Sequence, residues 1–393
     1  MRRNSIQPDQ NRNNQTSVWG LACVCTVAFA FSVNYTNHAP LVPALTEAFG
    51  FSLALGGLLT TGIFLTHAAM QIPGGLLADR LGPRPIVTAA LALVCLGNFG
   101  IVFSKAYWHL LFWKVFVGFG TGSCFVSGAR YIAGSFSGRR LNLAQGLYGG
   151  SILLGSGFVI YGVSLVAASM GWRGAFMVTA GVAGISGILW VVAAPSPSFS
   201  AQPVGSLRGL LSDFQLWLLG AVQMATFGLV IVVSAWITVF LQRELSLSQS
   251  RAGLLGSLAL MFGILTRPLG GAMVHLMGVK RLVQLSLGLN IVGCLLLARA
   301  GGSLGRVMAA IVVLGIGSGL PYAALFVRAA VLYPGRAGAA MGLVNMFGIV
   351  MILAAPPLIG QTVERTSSFQ AGFLSLGLFS LCAFAGTFGI KEP

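Results

Sequence analysis

Stretches of about twenty apolar residues recur along the whole 393-residue chain, and short segments rich in charged residues, glycine, proline or serine separate them. A helix of about twenty apolar residues spans the hydrocarbon core of a bilayer. Within lipid, a spanning segment must satisfy its own backbone hydrogen bonds. Because 56% of the residues are hydrophobic and only 8% are charged, the pattern predicts an all-α membrane protein and excludes a soluble domain.

Counting the apolar runs predicts about twelve transmembrane helices in two sets of six. The first set covers approximately 18–38, 53–76, 86–104, 108–131, 143–168 and 174–194. The second covers approximately 214–241, 251–275, 282–300, 306–331, 338–361 and 370–389. The predicted organisation is a cytoplasmic tail (1–17), a six-helix bundle (18–194), a cytoplasmic linker (195–213), a second six-helix bundle (214–389) and a short cytoplasmic tail (390–393).

The two sets of spans carry matching motifs. The run Gly74–Arg84 aligns with Gly270–Lys280 at a shift of 196 positions, and Gly118–Gly122 aligns with Gly315–Gly319 at a shift of 197. Two matches at nearly the same shift indicate an internal duplication. Parallel six-helix repeats with a site where the halves meet are a transporter architecture.

The basic residues indicate orientation. With both termini inside, fourteen Lys or Arg residues fall in cytoplasmic segments and seven in outer loops. This bias predicts cytoplasmic termini in a bacterial inner (plasma) membrane. The net charge of +16 is scattered over loops, so we expect no nucleic-acid partner.

A glycine-rich run with charged residues lies between predicted spans two and three: Gly75-Leu-Leu-Ala-Asp79-Arg80-Leu-Gly82-Pro-Arg84. Glycines allow close helix approach, and Asp79 is suited to a helix N-terminus. The run resembles the cytoplasmic signature loop of the major facilitator superfamily. The resemblance implies a twelve-helix transporter fold and a gating role, rather than substrate binding, for Gly75, Asp79, Arg80, Gly82 and Arg84. The second copy has His275 at the position of Asp79, so the same ionic role is not expected there.

Arg267 is the strongest candidate for a binding residue, because it falls inside a predicted span. A lipid-facing arginine would cost at least ~3 kcal/mol, so Arg267 should face protein or water. At a shift of 196, its repeat partner is Gln71. One fixed positive charge opposite an amide suits a small monoanion, which the guanidinium can bind in bidentate fashion. Alternatively, Arg267 neutralises a helix C-terminus or backbone carbonyls, one of which Pro268 can free.

The segment Arg267–Gly271 resembles the eighth span of nitrate/nitrite porters, and it is similar to monocarboxylate and oxalate carriers in the placing of its arginine. It departs from the nitrate pattern because Gln71 stands where those porters have a second arginine. Asn345 is retained in span eleven, whereas span five has Tyr148 and no asparagine. We therefore expect a small organic or inorganic anion, rather than nitrate in particular.

Further polar residues are predicted to line the cavity. Asn34, Tyr35 and His38 crowd the outer half of span one, with Tyr35 and His38 one turn apart. Tyr148 and Asn345 are compatible with substrate binding, although each is also suited to holding helices together.

Two titratable residues are candidates for coupling. His67 lies four residues before Gln71 and could carry a proton, although a buried histidine is often structural. Lys114 stands where the resembling family often has arginine; it either extends to the membrane interface or handles protons or anions. All seven carboxylates fall in loops or at helix ends, which weakens a proton-coupled sugar or cationic-drug transporter.

These features predict a secondary active transporter that works by alternating access on a small anion. A proton or counter-ion is the expected coupling partner, and the lipid bilayer surrounds a monomer. We expect no enzyme activity, cofactor or metal, since nucleotide-binding and metal-ligand motifs are missing from the sequence. The alternatives are an exporter or facilitator of a neutral or amphipathic solute, and a membrane receptor built on a transporter fold.

Overall fold

The structure is a computed structural model that describes residues 8–195, 207–366 and 368–391. All regular elements in these ranges are helical. The N-terminal half contains α1 (Pro8–Thr36), α2 (Val42–Phe49), α3 (Leu53–Ala69), α4 (Gln71–Leu81), α5 (Pro83–Val102), α6 (Tyr107–Ser135), α7 (Gly138–Phe158) and α8 (Ser164–Ala193). The C-terminal half contains α9 (Leu207–Leu211), α10 (Phe214–Gln223), α11 (Leu229–Leu245), α12 (Gln249–Ala298), α13 (Leu304–Gly319), α14 (Tyr322–Leu332), α15 (Ala337–Thr366) and α16 (Gln370–Gly386).

These helices form twelve membrane spans within the described residues. Nine continuous stretches are long and apolar enough to cross a bilayer, and α3 with α4, bent by 41°, forms a tenth. Two of the nine stretches, Gly138–Ala193 with 56 residues and Arg251–Ala298 with 48, are each about twice as long as one crossing requires, so each supplies two. The backbone reverses inside them at Gly171 (φ 70°) and at Gly278 (φ 79°). The predicted all-α fold with twelve spans is confirmed.

The duplication is visible in the backbone as well as in the sequence. Gly82 separates α4 from α5 with φ 88° and ψ 151°, and Gly278, which lies 196 positions later, has φ 79° and ψ 166°. A residue with a Cβ is strained at these positive φ angles, so glycine is required at both reversals. The same turn therefore joins spans two and three in one half and spans eight and nine in the other.

Several element boundaries differ from the sequence prediction. The second span continues through α4 to Leu81, because its glycines pack against neighbouring helices instead of ending the helix. α1 begins at Pro8, inside the predicted tail 1–17, and α9 lies inside the predicted linker 195–213. The predicted tail and linker residues 1–7, 196–206 and 392–393 lie outside the described residues.

The two halves meet along two helix pairs related by the repeat. A Cβ on Gly75 of α4 would lie 2.5 Å from the backbone of Gly338 in α15, and a Cβ on Gly146 of α7 would lie 2.5 Å from the carbonyl oxygen of Arg267 in α12. Such contacts require residues without side chains. The pairs α4–α15 and α7–α12 thus bring the halves together around Arg267.

Candidate functional site

A small cavity lies where the two halves meet, and residues from both halves line it. Its volume is about 20 Å³, room for about one water molecule. A solute larger than a water molecule therefore fits into this site only when the halves separate. The lining residues are Phe31, Tyr35, Phe64, His67, Phe125 and Ile152 from the N-terminal half, and Gln223, Phe227, Arg267, Tyr322, Asn345 and Ile349 from the C-terminal half.

Arg267 is buried in the cavity wall, with 2% of its surface exposed. Its Nη1 donates to the carbonyl oxygen of Gly149 in α7 at 2.7 Å, and its guanidinium lies 4.2 Å from the ring centre of Tyr322. Its Nε has no hydrogen-bond partner among the described residues. One N–H group of Arg267 thus binds a backbone carbonyl, as the alternative interpretation expects, while Nε is available to a ligand. The carbonyl that Pro268 frees, on Ile264, instead lies against Gly150.

Tyr322 is a cavity residue that the predicted substrate-binding set omitted. Its hydroxyl is buried and without a partner in the described part of the chain. The span that carries it breaks between α13 and α14 at Leu320 and Pro321, which places Tyr322 in the first turn of α14. The sequence signal was the Gly319-Leu-Pro321 break directly before a tyrosine.

Gln71 lies behind the cavity wall and takes part in a chain of amides that crosses between the halves. Gln223 Nε2 donates to Asn345 Oδ1 at 3.2 Å, and Asn345 Nδ2 donates to Gln71 Oε1 at 3.2 Å. Gln71 Nε2 then donates to the carbonyl oxygen of His67 at 3.2 Å. The repeat partner of Arg267 therefore joins the two halves in this conformation, and Asn345 is the member of the predicted set that both lines the cavity and contacts Gln71.

The polar end of span one divides between two places. Tyr35 lines the cavity, and its hydroxyl lies 2.9 Å from Ser156 Oγ. α1 ends at Thr36, so the one-turn spacing does not place His38 on the face of Tyr35; His38 Nε2 instead lies 2.8 Å from Thr60 Oγ1. Asn34 donates to the carbonyl oxygens of Ala30 and Thr179, at 2.7 and 3.1 Å, away from the cavity.

Tyr148 is buried behind the cavity lining. Its hydroxyl donates to the carbonyl oxygens of Phe125 and Cys124, at 2.8 and 3.2 Å. In this conformation its polar atom is used to hold α7 against α6.

Lys114 is completely buried within the N-terminal half. Its Nζ donates to Asn37 Oδ1 at 2.5 Å and to the carbonyl oxygen of Asn34 at 3.2 Å, and it lies 5.5 Å from the ring centre of Phe176. Asn37 in turn donates to Asn98 at 2.9 Å. The interpretation that Lys114 extends to the membrane interface is therefore wrong, because neutral oxygens inside the bundle attract its ammonium group.

His67 lines the cavity on the side of the N-terminal half. Its Nδ1 lies 3.0 Å from Thr121 Oγ1, and its ring stands edge-on to Tyr35 with 5.9 Å between ring centres. Of the two coupling candidates, His67 lies at the cavity and Lys114 does not.

The signature loop connects the two halves at the end of the molecule where α4 meets α5. The Asp79 carboxylate accepts from the backbone N–H groups of Gly338 and Ala339, both at 3.0 Å, and from Arg130 Nε at 2.7 Å. It is thus held at the N-terminus of α15, where a negative charge is favourable. Arg80 is exposed.

Elsewhere in the loop, Arg84 Nη2 donates to the carbonyl oxygen of Val191 at 2.7 Å. In the second copy of the motif, His275 Nε2 lies 3.3 Å from Asn142 Nδ2. The carboxylate of Asp79 therefore has no counterpart in the second repeat, where His275 contacts an amide instead.

The family model that matches this chain is that of the Major Facilitator Superfamily, and the matches cover residues 24–240 and 216–393. The chain belongs to this superfamily. It is 21% identical over 330 residues to the nitrite extrusion protein of Bacillus subtilis, covering 83% of this chain and 82% of that one. It is 24% identical over 405 residues to a probable sulfoacetate transporter, SauU, of Cupriavidus necator, covering 94% and 92%.

The fold matches solved structures of the same superfamily. The human organic anion transporter MFSD10 superposes with a TM-score of 0.81 at 17% identity, covering 94% of this chain and 99% of that one. The protein is thus a membrane transporter of the major facilitator type and not an enzyme, as the sequence predicted.

Proposed function

We propose that the protein is a secondary active transporter that moves a small organic monoanion by alternating access. The observation that supports this most strongly is the Arg267 and Tyr322 pair. It presents an unpartnered guanidinium Nε and an unpartnered hydroxyl at the cavity. Buried donors without partners are costly, and an anion that binds between them removes that cost.

The absence of carboxylates from the described cavity lining supports an anionic cargo. A cation would need a counter-charge at this depth, whereas Arg267 provides a positive charge that an anion neutralises. The bond from Arg267 to Gly149 spans the two halves, and an anion can replace that carbonyl when the halves move. The relatives named for nitrite and sulfoacetate also transport anions, which is consistent with this cargo.

The walls of the cavity favour an organic anion over an inorganic one. Four phenylalanines line it: Phe31, Phe64, Phe125 and Phe227. Aromatic walls stabilise the apolar part of an organic anion. They donate no hydrogen bonds to the oxygens of an ion such as nitrate that Arg267 and Tyr322 leave unbound. The same walls favour a second candidate function, the transport of a neutral amphipathic solute.

The Asp79 contact at the N-terminus of α15 supports a gating role for the signature loop. When these bonds form, α4 and α15 are locked together at that end, and breaking them permits the halves to separate. We place both chain termini at the cytoplasmic side of a bacterial inner membrane, and we take the working unit to be a monomer that holds its site between its own two halves.

Uptake into liposomes tests the proposal. We expect purified protein to take up labelled monocarboxylates or sulfonates, and excess unlabelled anion to compete. Arg267→Gln should abolish uptake without loss of folding, and Arg267→Lys should restore it only in part, because an ammonium cannot reproduce the guanidinium geometry. Full transport by the Gln variant, or indifference of a neutral amphipathic substrate to excess anion, would favour the second candidate.

A further inference from the structure

From the placement of His67 we infer that this residue binds a proton that crosses the membrane together with the anion. The inference rests on the proposed function, because it assigns the coupling ion of the same cavity. Within the described residues, three titratable side chains that can carry a positive charge are buried besides Arg267, namely His38, His67 and Lys114. His38 lies against Thr60, outside the cavity lining. Their surroundings differ, and that difference selects His67.

The hydrogen bonds of His67 leave one ring nitrogen for the cavity. Nδ1 lies 3.0 Å from Thr121 Oγ1, and the Thr121 hydroxyl donates its single hydrogen to the carbonyl oxygen of Gly118 at 3.2 Å. Nδ1 is therefore the donor to Thr121 in the neutral ring, a tautomer assigned from these contacts. The lone pair then lies on Nε2, since the described hydrogen bonds of the His67 side chain involve Nδ1 alone.

His67 also joins the cavity to the contact between the halves. Its carbonyl oxygen accepts from Gln71, the last member of the amide chain that begins at Gln223 and passes through Asn345 in the C-terminal half. A change of charge on this ring thus occurs beside the residues that connect the halves. Protonation can therefore bias the equilibrium between the two transport conformations.

The electrostatic surroundings favour joint binding of a proton and an anion. The titratable or charged groups that share the cavity are Tyr35 from α1, Arg267 from α12 and Tyr322 from α14. No carboxylate from the described elements lines it. A proton on Nε2 adds a second positive charge beside Arg267, and this pair is unfavourable until an anion enters. Each ligand consequently strengthens the binding of the other.

The proton step is balanced without any other reactant. Nε2 forms an N–H bond as an O–H bond of hydronium breaks at one face of the membrane, and the anion binds alongside. After the halves reorient, the N–H bond breaks and the proton returns to water at the other face. One negative and one positive charge cross together, so the cycle moves no net charge through the proton and anion.

Lys114 provides a matched comparison. Its ammonium donates to Asn37 and Asn34 within the N-terminal half, and it is not part of the cavity lining. An anion in the cavity therefore has no contact with it. Protonation of Lys114 could affect an anion in the cavity only indirectly, by changing how the helices of the N-terminal half pack.

The test uses liposomes that contain the full-length protein and a trapped pH-sensitive dye. Benzenesulfonate is a suitable probe because it stays ionised, so it carries no proton of its own. We expect an inward gradient of labelled benzenesulfonate to acidify the lumen of wild-type liposomes, with about one proton moved for each anion. In His67→Gln, the benzenesulfonate flux that remains should move no proton. Lys114→Gln should keep the wild-type ratio of protons to anions.

A second measurement decides the case in which His67→Gln has no flux. Benzenesulfonate binding to the wild type should weaken by about tenfold per pH unit at alkaline pH, the limit for one strictly coupled proton. Three results would overturn the assignment of His67: wild-type anion flux without protons, proton movement in His67→Gln, or pH-independent binding. Failure of the wild type to bind or transport any sulfonate or monocarboxylate would instead contradict the proposed function itself.

Discussion

Replacing Tyr322 by phenylalanine should separate substrate binding from stability. The hydroxyl of Tyr322 is buried without a partner in the described structure, and such a group costs about 1–3 kcal/mol. Tyr322→Phe removes the hydroxyl and retains the ring that stacks 4.2 Å from Arg267. The free energy of unfolding should therefore stay the same or rise by about 1 kcal/mol.

Substrate affinity should change in the opposite direction. A hydrogen bond to a charged group contributes about 1.5–3 kcal/mol, so losing the bond from Tyr322 to the anion should weaken binding by roughly 10- to 100-fold. Titration of the purified variant with the transported anion measures the affinity, and a thermal melt without ligand measures the stability.

Tyr148→Phe is the matched control, because the hydroxyl of Tyr148 already donates to Phe125 and Cys124. That variant should lose about 1 kcal/mol of stability or more and keep its affinity. If Tyr322→Phe lowered stability and left affinity unchanged, the Arg267 and Tyr322 pair would not be the anion site.

Two further predictions concern the contact of α4 with α15. Gly75→Ala places a Cβ 2.5 Å from the backbone of Gly338, and this overlap costs about 1–3 kcal/mol. Uptake by this variant should therefore fall by about tenfold. Gly57→Ala is the control and should transport normally, because a Cβ at that position has no atom within 4 Å. Asp79→Asn removes the ion pair with Arg130 and should lower stability by about 3 kcal/mol. An unchanged melting temperature for the Asn variant, or normal uptake by the Ala variant at position 75, would contradict the role of this contact.

The fold was largely predictable because its causes are local in the sequence. Apolar run length determines where a helix can cross a bilayer. The match between Gly74–Arg84 and Gly270–Lys280 predicted the duplication, and the reversals at Gly82 and Gly278 have nearly the same backbone angles. The breaks at Met70 and Leu320, which divide two spans into separate helices, were not predicted, although the Gly319-Leu-Pro321 run lies at the second break.

The candidate site was predictable only in part, because it depends on which faces of distant helices meet. The prediction of Arg267 rested on the energetic cost of a charge at depth, and the structure does place it at the cavity. Gln71 was expected to face the substrate opposite Arg267, yet its amide is used by Asn345 and by the carbonyl oxygen of His67. Hydrogen bonds between residues 274 positions apart along the chain cannot be read from spacing.

Helix ends explain the remaining differences. Asn34, Tyr35 and His38 are close in sequence, but α1 ends at Thr36 and only Tyr35 lines the cavity. Tyr322 was left out of the predicted set because the sequence does not show which faces of distant helices meet. Its position directly after the break between α13 and α14 gives it access to Arg267.

Ligand-induced stabilisation tests the central claim most directly. Purified wild-type protein is melted with formate, lactate, benzoate, nitrate and benzenesulfonate at constant ionic strength, and Arg267→Gln is treated in the same way. At about 100 times its Kd, a ligand that binds the folded state adds roughly 2.7 kcal/mol. An organic monoanion should therefore raise the melting temperature of the wild type and leave that of Arg267→Gln unchanged. A wild type that responds to none of these anions, or a variant that responds equally, would contradict an anion site at Arg267.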